Sequence, residues 1–234
     1  MKKIFVIVQA RMASTRLPGK VMKNLAGRPV LEHVMERCAR IPGIEGVICA
    51  TSSMPDCDVI ANFCKTRGYR CFRGSEQDVL SRYYHAAKEA GAEVIIRATS
   101  DNPLLSPRIN ALLVKRYLQG DVRFVTNNIP PSWPYGLDAE IFDFGLLETM
   151  HARAKEDCER EHVTPWVRAR LDAFQFANVS CPSGDLSHIR LTLDTPDDWA
   201  FLTSLAAAYP GDILNSDWTE IVSFLQAHSD ERTS

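Results

Sequence analysis

A three-layer α/β/α fold around a mostly parallel central sheet is predicted by three features of this 234-residue chain. Strand-like runs alternate with amphipathic segments in a βα rhythm through the first half. The first of these strands is an unbroken apolar run, as expected where a sheet is covered on both faces. The 45% hydrophobic content is enough to bury one such core. Alternation of this kind requires right-handed crossovers, which place helices on both faces of the sheet.

The elements follow in order. The run Ile4-Phe5-Val6-Ile7-Val8 marks a strand at 3–9. Further strands are predicted at 46–51, 69–73, 93–98 and 123–126, separated by helical periodicity at 29–40, 56–66, 77–90 and 107–118. Pro29 and Pro107 suit first-turn positions, where a missing N–H costs nothing. Past Asn128 the rhythm breaks: Pro130, Pro131 and Pro134 mark a loop that leads into Gly136-Leu137-Asp138-Ala139-Glu140-Ile141-Phe142. Beyond it, helices are predicted at 144–154 and 158–170, strands at 175–180 and 188–193, and helices at 196–208 and 216–227, with a polar, frayed tail at 229–234. No repeat or second domain is evident. The chain reads as one domain, with a first half at 1–128 and a second at 129–234.

The loop after the first strand is the most informative stretch. Ala10 is followed by Arg11, Ser14, Arg16, Gly19 and Lys20, so that three cations, hydroxyls and a glycine fall within ten residues at a strand's carboxyl end. Guanidinium forks and an ammonium match phosphate oxygens, and Gly19 is expected to let backbone N–H groups approach a ligand. The plain alternative is a solvated basic turn. Neither GxxxxGK[ST] nor GxGxxG is present, so this is neither a Walker A loop nor a Rossmann fingerprint.

Two aspartates extend the argument. Asp101 follows an apolar strand within Ser100-Asp101-Asn102-Pro103, and Asp194 ends the run Ile189–Leu193 ahead of Thr195-Pro196. Alone, each reads equally well as a turn former or a helix cap. Beside a phosphate loop, two strand-end carboxylates suit Mg²⁺, which prefers carboxylate oxygens, water and substrate phosphates.

Net charge of −2 and a pI near 6.3 argue against a nucleic-acid or membrane-surface protein. No apolar run reaches the roughly 18 residues of a membrane span, and Ile4 runs into the charged loop without a cleavage site, so a cytoplasmic protein is expected. Seven cysteines lie scattered without a CxxC pair. That spacing disfavours zinc and suggests reduced core thiols. HExxH and GxSxG are also absent.

The stretches QARMASTRLPGKVMKNLAGRPVLEHVMER, RATSDNPLL, YGLDAEIF, EREHVTP and LTLDTPDDW occur in this order along nearly the whole chain. Together they resemble the sugar nucleotidyltransferases, within them the cytidylyltransferase branch that activates acidic sugars, and most closely the spore coat polysaccharide biosynthesis protein F family. The resemblance implies a Rossmann-like nucleotidyltransferase fold whose first loop, with Ala10, Arg11, Ser14, Arg16 and Lys20, wraps a nucleoside triphosphate, and it implies CTP as that nucleotide. It places Asp101 and Asp194 at metal-binding positions. Charge chemistry at the phosphates makes Lys20 and Arg11, with Asp101, the catalytic set, and the Ser100-Asp101 turn that converges on the loop puts Ser100 beside the nucleotide. Gly74-Ser75-Glu76-Gln77-Asp78-Val79-Leu80-Ser81-Arg82-Tyr83 is close to the family's GSExDVLDRY, with Ser81 departing from the usual acid. Arg73, Gly74, Ser75 and Arg82 are therefore nucleotide-site candidates, although a turn capped by Ser75 explains the segment as well. GLDAE and EREH match acceptor-side motifs, which adds Tyr135, Asp138, Glu140, Glu161 and His162. The last two read otherwise as an exposed charged turn. Arg190 and Arg160 suit either an acceptor carboxylate or a structural ion pair. A homodimer is implied, with a lobe at about 144–182.

The reaction so implied is transfer of CMP from CTP to an acidic acceptor, a sugar acid of the Kdo, sialic, pseudaminic or legionaminic type, for surface polysaccharide. Alternatives are a nucleotidyltransferase acting on a phosphonate or sugar phosphate, a nucleotide-sugar-dependent glycosyltransferase, and a non-catalytic nucleotide binder. Asp56-Cys57-Asp58 spells the glycosyltransferase DxD but reads more simply as a helix-start acid pair.

Overall fold

In the computed structural model, which describes residues 2–230 and side chains through His228, strand β1 (Ile4–Gln9) is the buried centre of the sheet. The chain leaves it through loop 11–20, a 3-10 turn at Lys20–Met22 and a short hairpin of β2 (Asn24–Leu25) and β3 (Arg28–Pro29), then enters α1 (Val30–Ala39). The alternation continues with β4 (Gly46–Ser52), α2 (Asp58–Arg67), β5 (Arg70–Gly74), α3 (Val79–Ala90), β6 (Val94–Thr99), α4 (Pro107–Tyr117) and β7 (Phe124–Thr126). Every element expected in this half is present, its ends shifted by no more than two residues. Asp78, rather than Ser75, caps α3, accepting from the Ser81 N–H, while Ser75 Oγ accepts from the Asp78 N–H.

The second half departs from expectation. Strand β8 (Glu140–Asp143) was hidden by the polar and glycine residues before it, and α5 (Phe144–Arg153) follows directly. The helix expected at 158–170 is broken into α6 (Asp157–His162) and α7 (Pro165–Arg168). Pro165 cannot continue α6, and Val163 between them takes φ 72°, a strained conformation for a β-branched residue. Strand β9 covers only Phe176–Asn178. The strand expected at 188–193 forms a single bridge, Tyr135 with Arg190, because its N–H and C=O groups are used by the Tyr135 loop and by Asp101. Helices α8 (Pro196–Ala208) and α9 (Trp218–Asp230) close the chain. Of the tail expected at 229–234, residues 229–230 continue α9 and 231–234 lie outside the described residues.

The sheet order among the described residues is β5-β4-β1-β6-β8-β7-β9, with β8 antiparallel to both its neighbours and the other adjacent strands parallel. Side chains alternate between two cores. Ile4, Val6, Val8, Val94 and Ile96 face α1, α2, α4, α8 and α9, whereas Phe5, Ile7 and Ile95 face α3, α5 and α7. The chain steps outward from β1 through β4 to β5 and returns on the other side of β1 with β6. This reversal opens a crevice at the carboxyl ends of β1 and β6, where open α/β sheets bind ligands.

Candidate active site

A pocket of about 510 Å³ occupies that crevice. Gln9, Ala10 and residues of loop 11–20 line it, together with Thr99, Ser100, Asp101 and Asn102 at the end of β6 and in the turn after it. The loop is shaped from within. Gly19 sits at φ 68°, and its N–H donates to the Met12 carbonyl at 3.1 Å. That conformation favours glycine, and the N–H expected to meet a ligand is instead used to close the loop. The Met12 N–H lies 3.4 Å from Cys57 Sγ, which ties the loop to the start of α2.

Lys20 then joins the two aspartates. Its Nζ donates to Asp101 Oδ2 at 3.2 Å, to Asp194 Oδ1 at 2.8 Å and to the Leu193 carbonyl at 2.8 Å. Asp194 is carried to this point by backbone: the Leu193 N–H donates to the Asp101 carbonyl at 2.8 Å, and Thr192 Oγ1 donates to the same oxygen at 3.2 Å. Gly136 packs against this segment so closely that a Cβ would lie 2.7 Å from the Thr192 nitrogen. Arg16 reaches Asp194 Oδ1 at 3.3 Å. Asp101 and Asp194 thus present hard oxygens to one shared point beside several cations, a donor set that fits a hard divalent ion better than a soft one.

The opposite wall is cationic and partly unpartnered. Arg82 is 1% exposed, and its guanidinium donates to the Ser75 and Glu76 carbonyls. Among the described residues it forms no ion pair, and its Nε has no acceptor. Burial holds it below the usual arginine range, with repulsion from Arg11 adding to the effect. Arg11 pairs with Glu161 at 2.5 Å across the mouth. Gln9 Oε1 is buried and has no hydrogen-bond partner among the described residues. Beneath these, Glu140 is 2% exposed and holds Arg97 at 3.2 Å, Arg168 at 2.8 Å and Thr164 Oγ1 at 3.0 Å. Asn128 bridges Arg168 to Asp138, whose carboxyl is pushed up, chiefly by burial.

The family of the chain is decided by comparison with known proteins. Residues 5–201 match the model of the cytidylyltransferase family. The chain belongs to the cytidylyltransferase family. It is 30% identical over 243 residues to the spore coat polysaccharide biosynthesis protein SpsF of Bacillus subtilis, covering 100% of this chain and 98% of that protein. A cytidylyltransferase from Leptospira borgpetersenii superposes with a TM-score of 0.92 at 31% identity, covering 98% of this chain and 96% of the other. A CMP:2-keto-3-deoxy-manno-octonic acid synthetase complexed with CTP shares the fold, with a TM-score of 0.66, 17% identity and coverage of 88% and 99%. The chain is therefore a nucleotidyltransferase with a Rossmann-like fold.

In this cytidylyltransferase, Ala10, Arg11, Ser14, Arg16, Lys20, Arg82, Ser100, Asp101, Tyr135, Asp138, Glu140, Glu161, His162 and Asp194 all line the pocket. Arg73, Gly74, Ser75 and Arg190 do not. Arg73 turns away to the Ser52 and Met54 carbonyls and to Asp58. Gly74 and Ser75 act on the pocket through Arg82: a Cβ on Gly74 would meet the Arg82 stem at 3.1 Å, and the Ser75 carbonyl accepts from its guanidinium. Arg190 is engaged by Asp198 through Nε at 2.6 Å and Nη2 at 2.8 Å, and stacks over Tyr135. Arg160 pairs with Asp78. Sequence reasoning passed over Gln9, Arg97, Thr99, Asn102, Asn128 and Thr192. Gln9 and Thr99 carried a usable signal, since each ends a strand at the sheet's ligand-binding edge.

Proposed function

We propose that this chain transfers CMP from CTP to a sugar acid, releasing pyrophosphate, in the cytoplasm and in service of a surface polysaccharide. The observation that carries the reading is the Lys20 ammonium held jointly by Asp101 and Asp194 in a pocket also lined by Arg11, Arg16 and Arg82. An oxygen of the acceptor attacks the α-phosphorus, the bond to the bridging oxygen breaks, and pyrophosphate departs with the electron pair. Charge gathers on the α-phosphate and leaving oxygens, so positioning and preorganised cations supply most of the acceleration.

Lys20 neutralises the α-phosphate, moving from the carboxylates to the phosphate as the nucleotide enters. Arg11 and Arg16 hold the β- and γ-phosphates, with Ser14 donating a hydrogen bond. Buried and without a counter-ion among the described residues, Arg82 supplies a further positive site where an anion recovers the desolvation cost. Asp101 and Asp194 would hold Mg²⁺, which when bound offsets phosphate charge and lowers the pKa of the attacking oxygen. Tyr135, Asp138, Glu161 and His162 face the acceptor, while Glu140 fixes Arg97 and Arg168 beneath it. The two halves act as one domain, and the segment 144–182 is proposed as the dimer lobe: β9 ends the sheet as an open edge with Phe176 exposed.

The test is pyrophosphate release with CTP, ATP, GTP and UTP in turn, with Mg²⁺ and a panel of sugar acids, phosphonates and sugar phosphates. Release that needs CTP and one sugar acid supports the reading. Release with a phosphonate or sugar phosphate alone replaces the acceptor assignment and keeps the reaction class.

A further inference from the structure

Three cysteines whose spacing spoke against a metal converge away from the pocket. The register of β4 and β5 pairs Cys49 with Cys71, and paired residues of neighbouring strands point to the same face. Cys49 belongs to the core beneath α2, and Cys64, near the end of α2, is buried in that core too. Arg73, two residues beyond Cys71 on β5, pairs with Asp58 at the start of α2, which places Cys71 on the helix side. The three Sγ atoms all lie within 4.8 Å of one another, and each thiol is free. A strand ladder and a covering helix thus do what a CxxC turn does in a single loop.

We propose that Cys49, Cys64 and Cys71 form a site for one thiophilic d10 cation of the Zn²⁺ or Cd²⁺ class. Sulfurs bound at about 2.3 Å around one ion lie about 4 Å apart, so small rotamer changes close the site. Soft thiolates select such an ion over Mg²⁺, which separates this site from the carboxylate pair of the pocket. Cys71 is exposed and gives the ion an entry path, with water completing a tetrahedron on that side, while Cys49 and Cys64 are buried. Each thiol releases its proton to solvent as it binds, and the adjacent Arg73 offsets the resulting negative charge. The ion would pin α2 to the outer pair of strands.

The test uses the full-length protein, reduced and stripped by chelator, in excess Mg²⁺ so that pocket carboxylates are occupied. Titration with Cd²⁺ is expected to give an ultraviolet thiolate-to-metal charge-transfer band that saturates at one equivalent and raises the melting temperature. Cys71→Ser, at an exposed position, is expected to abolish the band and weaken binding at least tenfold, whereas Cys158→Ser keeps both. No band at one equivalent, or a band unchanged in Cys71→Ser, overturns the site. Loss of two hydrogens by mass on air exposure, with no metal uptake afterwards by the re-reduced protein, overturns it in favour of a disulfide pair.

Discussion

Lys20 holds two carboxylates that would otherwise repel across the pocket, and that position predicts opposite effects on two measurements. Lys20→Ala removes a preorganised cation and is expected to lower turnover by on the order of 10² to 10³. The same change leaves Asp101 and Asp194 without their shared ammonium, so the nucleotide-free protein is expected to bind Mn²⁺ more tightly than the wild type. Turnover and a metal titration on one variant separate the two effects, and unchanged Mn²⁺ affinity would show that Lys20 does not occupy the cation position. Asp101→Asn and Asp194→Asn are each expected to weaken the response of turnover to Mg²⁺. Full Mg²⁺-dependent turnover in both would remove the metal assignment. Asp101 was legible because it follows an apolar strand at the sheet's carboxyl edge, and Asp194 because it ends an apolar run, although that run forms no strand. Arg97 and Asn128 were not, since an arginine within a strand and an asparagine before a proline loop gain meaning only from Glu140 and Asp138, which the fold supplies.

At the scale of elements, the site depends on a segment that is neither strand nor helix. Leu191 to Asp194 hangs from Tyr135 and Asp101 by backbone bonds, and α8 anchors its far end through Asp198. The Asp198 carboxylate accepts from Arg190, from the Asp194 and Thr195 N–H groups, and forms a capping box with Thr195. Arg190 is the largest cause holding its pKa well below the usual carboxylate range, with burial opposing and the backbone donors assisting. A folded pKa below the unfolded value contributes stability above the unfolded value, about pH 4, and loses it as pH falls toward the folded one. Asp198→Asn is therefore expected to cost about 2 kcal/mol at pH 7, from a lost cap and lost charged hydrogen bonds, with the deficit shrinking below about pH 4. Urea unfolding at several pH values checks this, and a deficit independent of pH would assign the loss to packing. Gly136→Ala attacks the other anchor: at φ 102° with backbone 2.7 Å from the new Cβ, it is expected to lower both melting temperature and turnover. Periodicity could not foresee this segment, because its hydrogen bonds go to loops far away in sequence. The break between α6 and α7 had a sign in Pro165, whereas the left-handed backbone of the buried Val163 had none.

Taken whole, the molecule puts its two halves on one sheet. Strands β1, β4, β5, β6 and β7 come from the first half, and β8 and β9 from the second, with β8 lying against β6 beside the pocket. The parallel part was legible from the βα rhythm. The antiparallel insertion was not, because residues before β8 read as a turn and only its pairing with β6 and β7 makes it a strand. A pocket shared by both halves links binding to global stability on the proposed reading. A ligand that binds only the folded state stabilises it by about 2.7 kcal/mol at one hundred times its dissociation constant. For a chain of this size that corresponds to a melting-temperature rise of about 5–10 °C. CTP with Mg²⁺ is expected to produce such a rise, and CTP without Mg²⁺ a smaller one, since Asp101 and Asp194 then oppose the triphosphate uncompensated. ATP, GTP and UTP at equal concentration are expected to fall short of CTP. Equal shifts from all four would mean that the pocket holds the triphosphate through its cations alone, leaving the base unread and the buried, unpartnered Gln9 oxygen without a role in choosing it.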